Sequence, residues 1–211
     1  MVADSVFDEI KHRSQGMFKL SHHDRSHVAR VYNMAVRLAR EENADLDVAR
    51  AAALLHDIAR AVEDEGQIVD HASEGARMSE KILAEVGFPR EKVSEVVHCI
   101  EVHRYKKGMK ADTLEAQILQ DADRLDIVGA IGIARALARG GWSNLPIYDP
   151  EIPPKAKYDG ESLTTVNHIY EKILNVKETM NTKTARTIAE QRHEFVEQFL
   201  DRLLKEWKGE M

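Results

Sequence analysis

Disulfide chemistry is excluded at once, because the 211 residues contain one cysteine, Cys99. A chain so poor in cysteine fits a reducing compartment. Long apolar runs are also missing. The longest is Ala51-Ala52-Ala53-Leu54-Leu55, far short of the ~20 residues that span a bilayer, so no membrane partner is expected. Met1-Val2-Ala3-Asp4-Ser5 shows no basic stretch leading into an apolar core, which predicts no secretory leader and a cytoplasmic location. Positive charge is in deficit, with a net charge of −6. The one basic stretch runs from Arg104 to Lys110, so broad electrostatic binding to nucleic acid is disfavoured. No Ser-His-Asp or Cys-His arrangement and no glycine-rich phosphate loop can be read in the chain, which removes the commonest routes to nucleophilic catalysis and phosphate cradling.

Proline is scarce and confined. Four of the five prolines and three of the eleven glycines lie within residues 140–160, which therefore read as a loop. Elsewhere the apolar residues recur with a 3.6-residue period, and no segment alternates as a strand would. The expectation is an all-α protein forming one domain over residues 1–211. Predicted helices cover about 4–15, from near Asp24 to 42, from a cap at Asp47 through Leu55, 72–86, 90–103, 113–139, 161–180 and 182–207. Gly87 with Pro89 ends the fourth, and Asn181 or Thr182 caps the last.

What the chain has in quantity is histidine, with ten copies. Their positions carry the argument. His56-Asp57 closes the apolar segment Leu54-Leu55-His56-Asp57-Ile58. Burying such groups costs several kcal/mol unless they are paired or bound to metal. Neighbours on a helix point about 100° apart, so both can reach one ion only beside the helix end, with further ligands from other helices. His27 lies on the preceding helix in Ser26-His27-Val28-Ala29-Arg30-Val31, and Asp123 on the sixth in Asp121-Ala122-Asp123-Arg124-Leu125-Asp126. Periodicity does not choose between Asp121 and Asp123, which flank one apolar stripe on opposite sides.

The order His, His-Asp, Asp resembles that of the HD superfamily of metal-dependent phosphohydrolases, over about residues 20–140. Leu54 to Arg60 is similar to the family signature, and Ala122-Asp123-Arg124-Leu125 to the last-aspartate helix of the guanosine-tetraphosphate hydrolases and deoxynucleotide triphosphohydrolases. The resemblance selects Asp123. It implies a helical bundle in which His27, His56, Asp57 and Asp123 hold a divalent metal. Two imidazoles and two carboxylates suit manganese, iron, cobalt, nickel or magnesium better than structural zinc. The implied reaction is hydrolysis of a phosphoester or phosphoanhydride of a nucleotide-like substrate by metal-activated water.

Further roles follow from the same resemblance. His71, in Asp70-His71-Ala72-Ser73-Glu74, and His103, in Ile100-Glu101-Val102-His103, match positions that hold a second ion in some subgroups. Arg60 stands where the cyclic-dinucleotide phosphodiesterases carry a phosphate-approaching lysine. Arg124 and Lys172 are further candidates for phosphate contact, and Glu63 and Asp64 for general acid or base, beside Asp57. Asp126 either orients a ligand or pairs with an arginine, and His98 reads as structural. The Gly-Tyr-Pro segment of the phosphodiesterases is absent, since Arg104-Tyr105-Lys106-Lys107-Gly108 follows His103. The alternative is a catalytically silent nucleotide sensor, and a homodimer is compatible with either reading.

Overall fold

The computed structural model describes residues 1–18, 25–104 and 109–211. Among them every regular element is a helix, as the periodicity predicts. The described residues fall into two compact units, Met1–Asp123 and Arg124–Met211.

The first unit holds α1 (Asp4–Ser14) with a 3-10 turn at Gln15–Met17, α2 (Arg25–Glu42), α3 (Leu46–Leu55), α4 (Arg60–Asp64), α5 (His71–Glu85), α6 (Arg90–Val102) and most of α7 (Leu114–Leu125). The expected start of the second helix near Asp24 lies outside the described residues. α3 packs against α1, α2, α5 and α6. Its residues from Ala51 to Leu55 are all buried, and the run of alanines keeps the helix thin enough for those neighbours to approach. α2 turns Val31, Ala35 and Leu38 inward with no exposure. Each such large apolar side chain contributes about 1.5–3 kcal/mol when buried.

Two boundaries differ from the sequence reading. Asp45, not Asp47, caps α3, its Oδ1 accepting from the backbone N–H of Asp47 at 2.9 Å and of Val48 at 3.2 Å. Asp47 is a buried first-turn carboxylate that takes Lys92 Nζ at 2.9 Å and Val2 N–H at 3.1 Å. α4 is new; one turn and a half is too short to show a period. Asp70 caps α5, accepting from Ser73 N–H at 3.3 Å and Ser73 Oγ–H at 2.5 Å, and so places His71 as the first helical residue.

The single helix expected over 113–139 is two, α7 and α8 (Ala130–Trp142). Gly129 at the break has φ +85, a conformation that β-carbons disfavour. At Gly132 a β-carbon would stand 2.3 Å from the carbonyl oxygen of Ile127, so the chain can turn there only without one. Gly132→Ala is therefore expected to lose about 1–3 kcal/mol by overcrowding, despite alanine's intrinsic advantage of ~1 kcal/mol in a helix. The control is Gly141→Ala, where nothing lies within 4 Å. Thermal melts should show a lower midpoint for the first and an equal or higher one for the second.

The second unit continues with α9 (Thr165–Glu171), a 3-10 stretch at Ile173–Thr179 and α10 (Lys183–Trp207). The helix expected over 161–180 is thus shorter and changes type. Asn175 Nδ2 donates to the carbonyls of Tyr170 at 3.3 Å and Glu171 at 3.0 Å, taking acceptors that a continuing α-helix would use. The proline-rich segment is tied to α9. Thr165 N–H donates to the Pro146 carbonyl at 2.9 Å, and the buried Glu171 carboxylate accepts from Lys155 N–H at 2.8 Å and Ser162 Oγ–H at 2.5 Å. Thr182 caps α10 through Ala185 N–H at 3.3 Å, as the sequence suggested.

Candidate metal centre

α3 stops at Leu55, and His56 follows with its backbone still helical at φ −58, ψ −36. His56 Nδ1 lies 2.9 Å from the carbonyl oxygen of Ala53. A carbonyl only accepts, so Nδ1 carries the ring proton and Nε2 presents a lone pair inward. His103 repeats this at the end of α6, with Nδ1 2.5 Å from the Ile100 carbonyl. His71 opens α5 and sets Nδ1 2.8 Å from Glu63 Oε2. His27, in the first turn of α2, is fully buried, and its Nε2 lies 3.4 Å from His56 Nε2.

Asp57 stands between these imidazoles, 3% exposed. Its Oδ2 is 3.6 Å from the Nε2 atoms of both His27 and His56. Its Oδ1 is 3.3 Å from His71 Nε2 and 3.7 Å from His103 Nε2. The rings follow one another edge to face, with centroids 5.4 Å apart for His27 and His56, 5.3 Å for His56 and His103, and 5.4 Å for His71 and His103. Asp123 Oδ1 is 3.4 Å from His27 Nε2, and with 25% side-chain exposure it is the part of the cluster open to solvent. Asp121 is fully enclosed.

Burial pushes His56 down to about 4, against the pull of Asp57, so it is neutral at neutral pH. Burial also works to lower His103, but the carboxylate of Asp57 wins and raises it. For Asp123 burial works upward, yet the hydrogen bond to His27 and the nearby imidazoles hold it far below the usual carboxylate range. His27, His56 and Asp57 bring donor atoms within 4.8 Å of one another, and so do Asp57, His71 and His103. Imidazole nitrogen and carboxylate oxygen at this density fit a divalent cation. Burial raises the Cys99 thiol above its ordinary range.

The other candidates are placed as follows. Arg60 sits at the edge of the cluster, 24% exposed, with Nη1 3.5 Å from His71 Nδ1 and Nε 3.1 Å from Asp64 Oδ1. Glu63 has both oxygens engaged, Oε2 with His71 and Oε1 with Arg104 Nη1 at 2.7 Å. Burial would raise Glu63, but the bond to His71 and the charges of His71, Arg104 and Arg60 hold it below the usual value. Asp126 pairs with Arg135 at 2.5 Å, and His98 pairs with Asp112 at 2.6 Å on the surface. Arg124 and Lys172 belong to the second unit. There Arg124 Nη1 donates to the Thr179 carbonyl at 2.5 Å, and Lys172 Nζ lies 5.7 Å from the ring centre of Tyr158. Sequence reasoning missed Arg104 and Asp70, which join at 2.9 Å. Arg104 is 41 residues from Glu63, and no local pattern announces such a pair.

Comparison with known proteins identifies the family. Residues 25–127 match the HD domain family model, a span that contains every member of the cluster. The chain is 33% identical to YpgQ of Bacillus subtilis over 193 residues, covering 90% of this chain and 86% of YpgQ. The crystal structure of YpgQ in complex with ADP has a TM-score of 0.74 at 33% identity, covering 96% of this chain and 95% of the other. An HD-superfamily hydrolase from Bacillus thuringiensis has a TM-score of 0.79 at 34% identity, covering 97% and 98%. Ribonuclease Y of Lawsonia intracellularis is 34% identical over 99 residues, which is 47% of this chain and 17% of that enzyme. The chain belongs to the HD-domain family.

Proposed function

We propose that this chain is a metal-dependent phosphohydrolase that cleaves a phosphoester or phosphoanhydride bond of a nucleotide. The observation that carries the reading is Asp57, which turns one carboxylate oxygen to each of two imidazole pairs. His27, His56, Asp57 and Asp123 would hold one divalent ion. His71 and His103, with the other oxygen of Asp57, would hold a second. The donor set suits manganese, iron, cobalt, nickel or magnesium. A divalent ion bound there supplies a water of lowered pKa and offsets charge on phosphate oxygens.

The chain's own residues do the rest. Asp57 fixes the distance between the two imidazole pairs by serving both. Asp123, the exposed member, marks the side from which a phosphate arrives. Arg60 stands beside His71 with a planar fork of N–H donors that matches two phosphate oxygens. Ala53, Leu55, Ile58 and Ala59, all buried, keep bulk water from the inner side, which strengthens every charge contact. The complex of YpgQ with ADP supports a nucleotide substrate. Dialysed protein is expected to release phosphate or pyrophosphate from a panel of nucleoside di- and triphosphates once manganese, cobalt, nickel or magnesium is restored. No release with any metal would sink the reading.

A further inference from the structure

The two halves of the cluster differ in charge. The half around Asp57 Oδ2 has a carboxylate of its own, Asp123, 3.4 Å from His27. The donor set around Asp57 Oδ1 is Asp57, His71 and His103, so its carboxylate is the shared one. A divalent ion held there would face two neutral imidazoles and half of one charge.

Glu63 supplies negative charge to that half, one ring removed. Its Oε2 accepts from His71 Nδ1 at 2.8 Å. His56 and His103 spend the same nitrogen on backbone carbonyls of Ala53 and Ile100, so a carboxylate backs His71 where a neutral dipole backs those two. The carboxylate is itself held. Arg104 Nη1 donates to Glu63 Oε1 at 2.7 Å and to Asp70 Oδ1 at 2.9 Å. Asp70 caps the helix whose first residue is His71, and Arg104 directly follows His103. The chain of contacts runs from His71 through Glu63 and Arg104 to Asp70, returning to the residue before His71, and its Arg104 is the residue after His103.

We propose that Glu63 is a positioning residue for the second metal-binding half, acting through His71 with Arg104 as its anchor. This rests on the metal-dependent reading above. Glu63 fixes the His71 tautomer with the proton on Nδ1, leaves the Nε2 lone pair facing Asp57, and makes that nitrogen a stronger donor. A carboxylate behind a ligating imidazole typically changes metal affinity by about 10–100-fold. Its contacts run to His71 and Arg104, on the second half, so its effect is expected on that half first.

The test is a manganese titration of the metal-free full chain by calorimetry, with paramagnetic resonance reading the coupling between neighbouring ions. Wild type is expected to take up two ions and show a coupled pair. In Glu63→Gln the first uptake should be unchanged and the second weakened by about 10–100-fold, with the coupled signal lost at stoichiometric manganese. Arg104→Met, which leaves the Glu63 carboxylate in place without its Arg104 anchor, should weaken the same second step and not the first; it also stands in if Glu63→Gln fails to fold. A purely structural ion pair would shift thermal stability and leave the two-step titration intact. Second-site affinity equal to wild type in the folded variants overturns the proposal, and so does equal weakening of both steps. Wild type that binds one ion overturns it while leaving a one-metal hydrolase standing. Wild type that binds none removes the metal-dependent reading itself, and this inference with it.

Discussion

Asp57→Asn is expected to empty both proposed metal sites in one step. Among the described residues its carboxylate is the group shared by the two donor sets, with Oδ2 toward His27 and His56 and Oδ1 toward His71 and His103. Asparagine keeps the shape but loses the charge, and its amide nitrogen offers no lone pair to a cation. Turnover should fall by more than the ~10²–10³ that loss of one electrostatic contact costs, because both halves fail together. His71→Ala, by contrast, should lose one ion and keep the other. The check is elemental analysis of dialysed protein beside turnover in the same preparation. Wild-type metal content in folded Asp57→Asn would contradict the assignment.

The second large effect is on stability. Four buried imidazoles stand around one carboxylate, a set that the unfolded chain cannot assemble. Binding free energy at such a site is folding free energy. At a hundredfold excess of free metal over Kd, each ion adds about 2.7 kcal/mol. For a chain of this size that raises the melting midpoint by roughly 5–10 °C per ion. Protein stripped with a chelator is expected to melt that much lower, to recover on addition of manganese, and to gain nothing in the Asp57→Asn variant. A midpoint indifferent to chelation would speak against a metal centre in this cluster.

How far the sequence could be read depended on whether the signal was local. α2, α5, α6 and α10 announce themselves by period and by caps such as Thr182. The choice between Asp45 and Asp47 was not local, because Lys92 and the N-terminal residues draw Asp47 away from the cap. The break between α7 and α8 was also hidden, since Gly129 and Gly132 sit within an apolar pattern that continues through them. The positive φ of Gly129 and the close approach of Gly132 to the Ile127 carbonyl show why one helix gives way to two. In the site, His56-Asp57 was legible because a charged pair closes an apolar helix. His71 and His103 were legible as candidates by resemblance, but their convergence on the far oxygen of the same carboxylate needed coordinates. Glu63 was picked out for proton transfer. Its engagement with His71 and Arg104 comes from contacts between separate parts of the chain, which no period or motif encodes.

We propose that this cluster directs water onto a nucleotide phosphate. The most direct measurement is turnover of a nucleoside di- or triphosphate in ¹⁸O-labelled water, with manganese, cobalt, nickel or magnesium supplied in turn and the products read by mass spectrometry. Label is expected in the phosphate side of the cleaved bond, dependent on added metal and absent in Asp57→Asn. Nucleotide that binds tightly yet stays intact with every metal would contradict it and make the chain a nucleotide sensor.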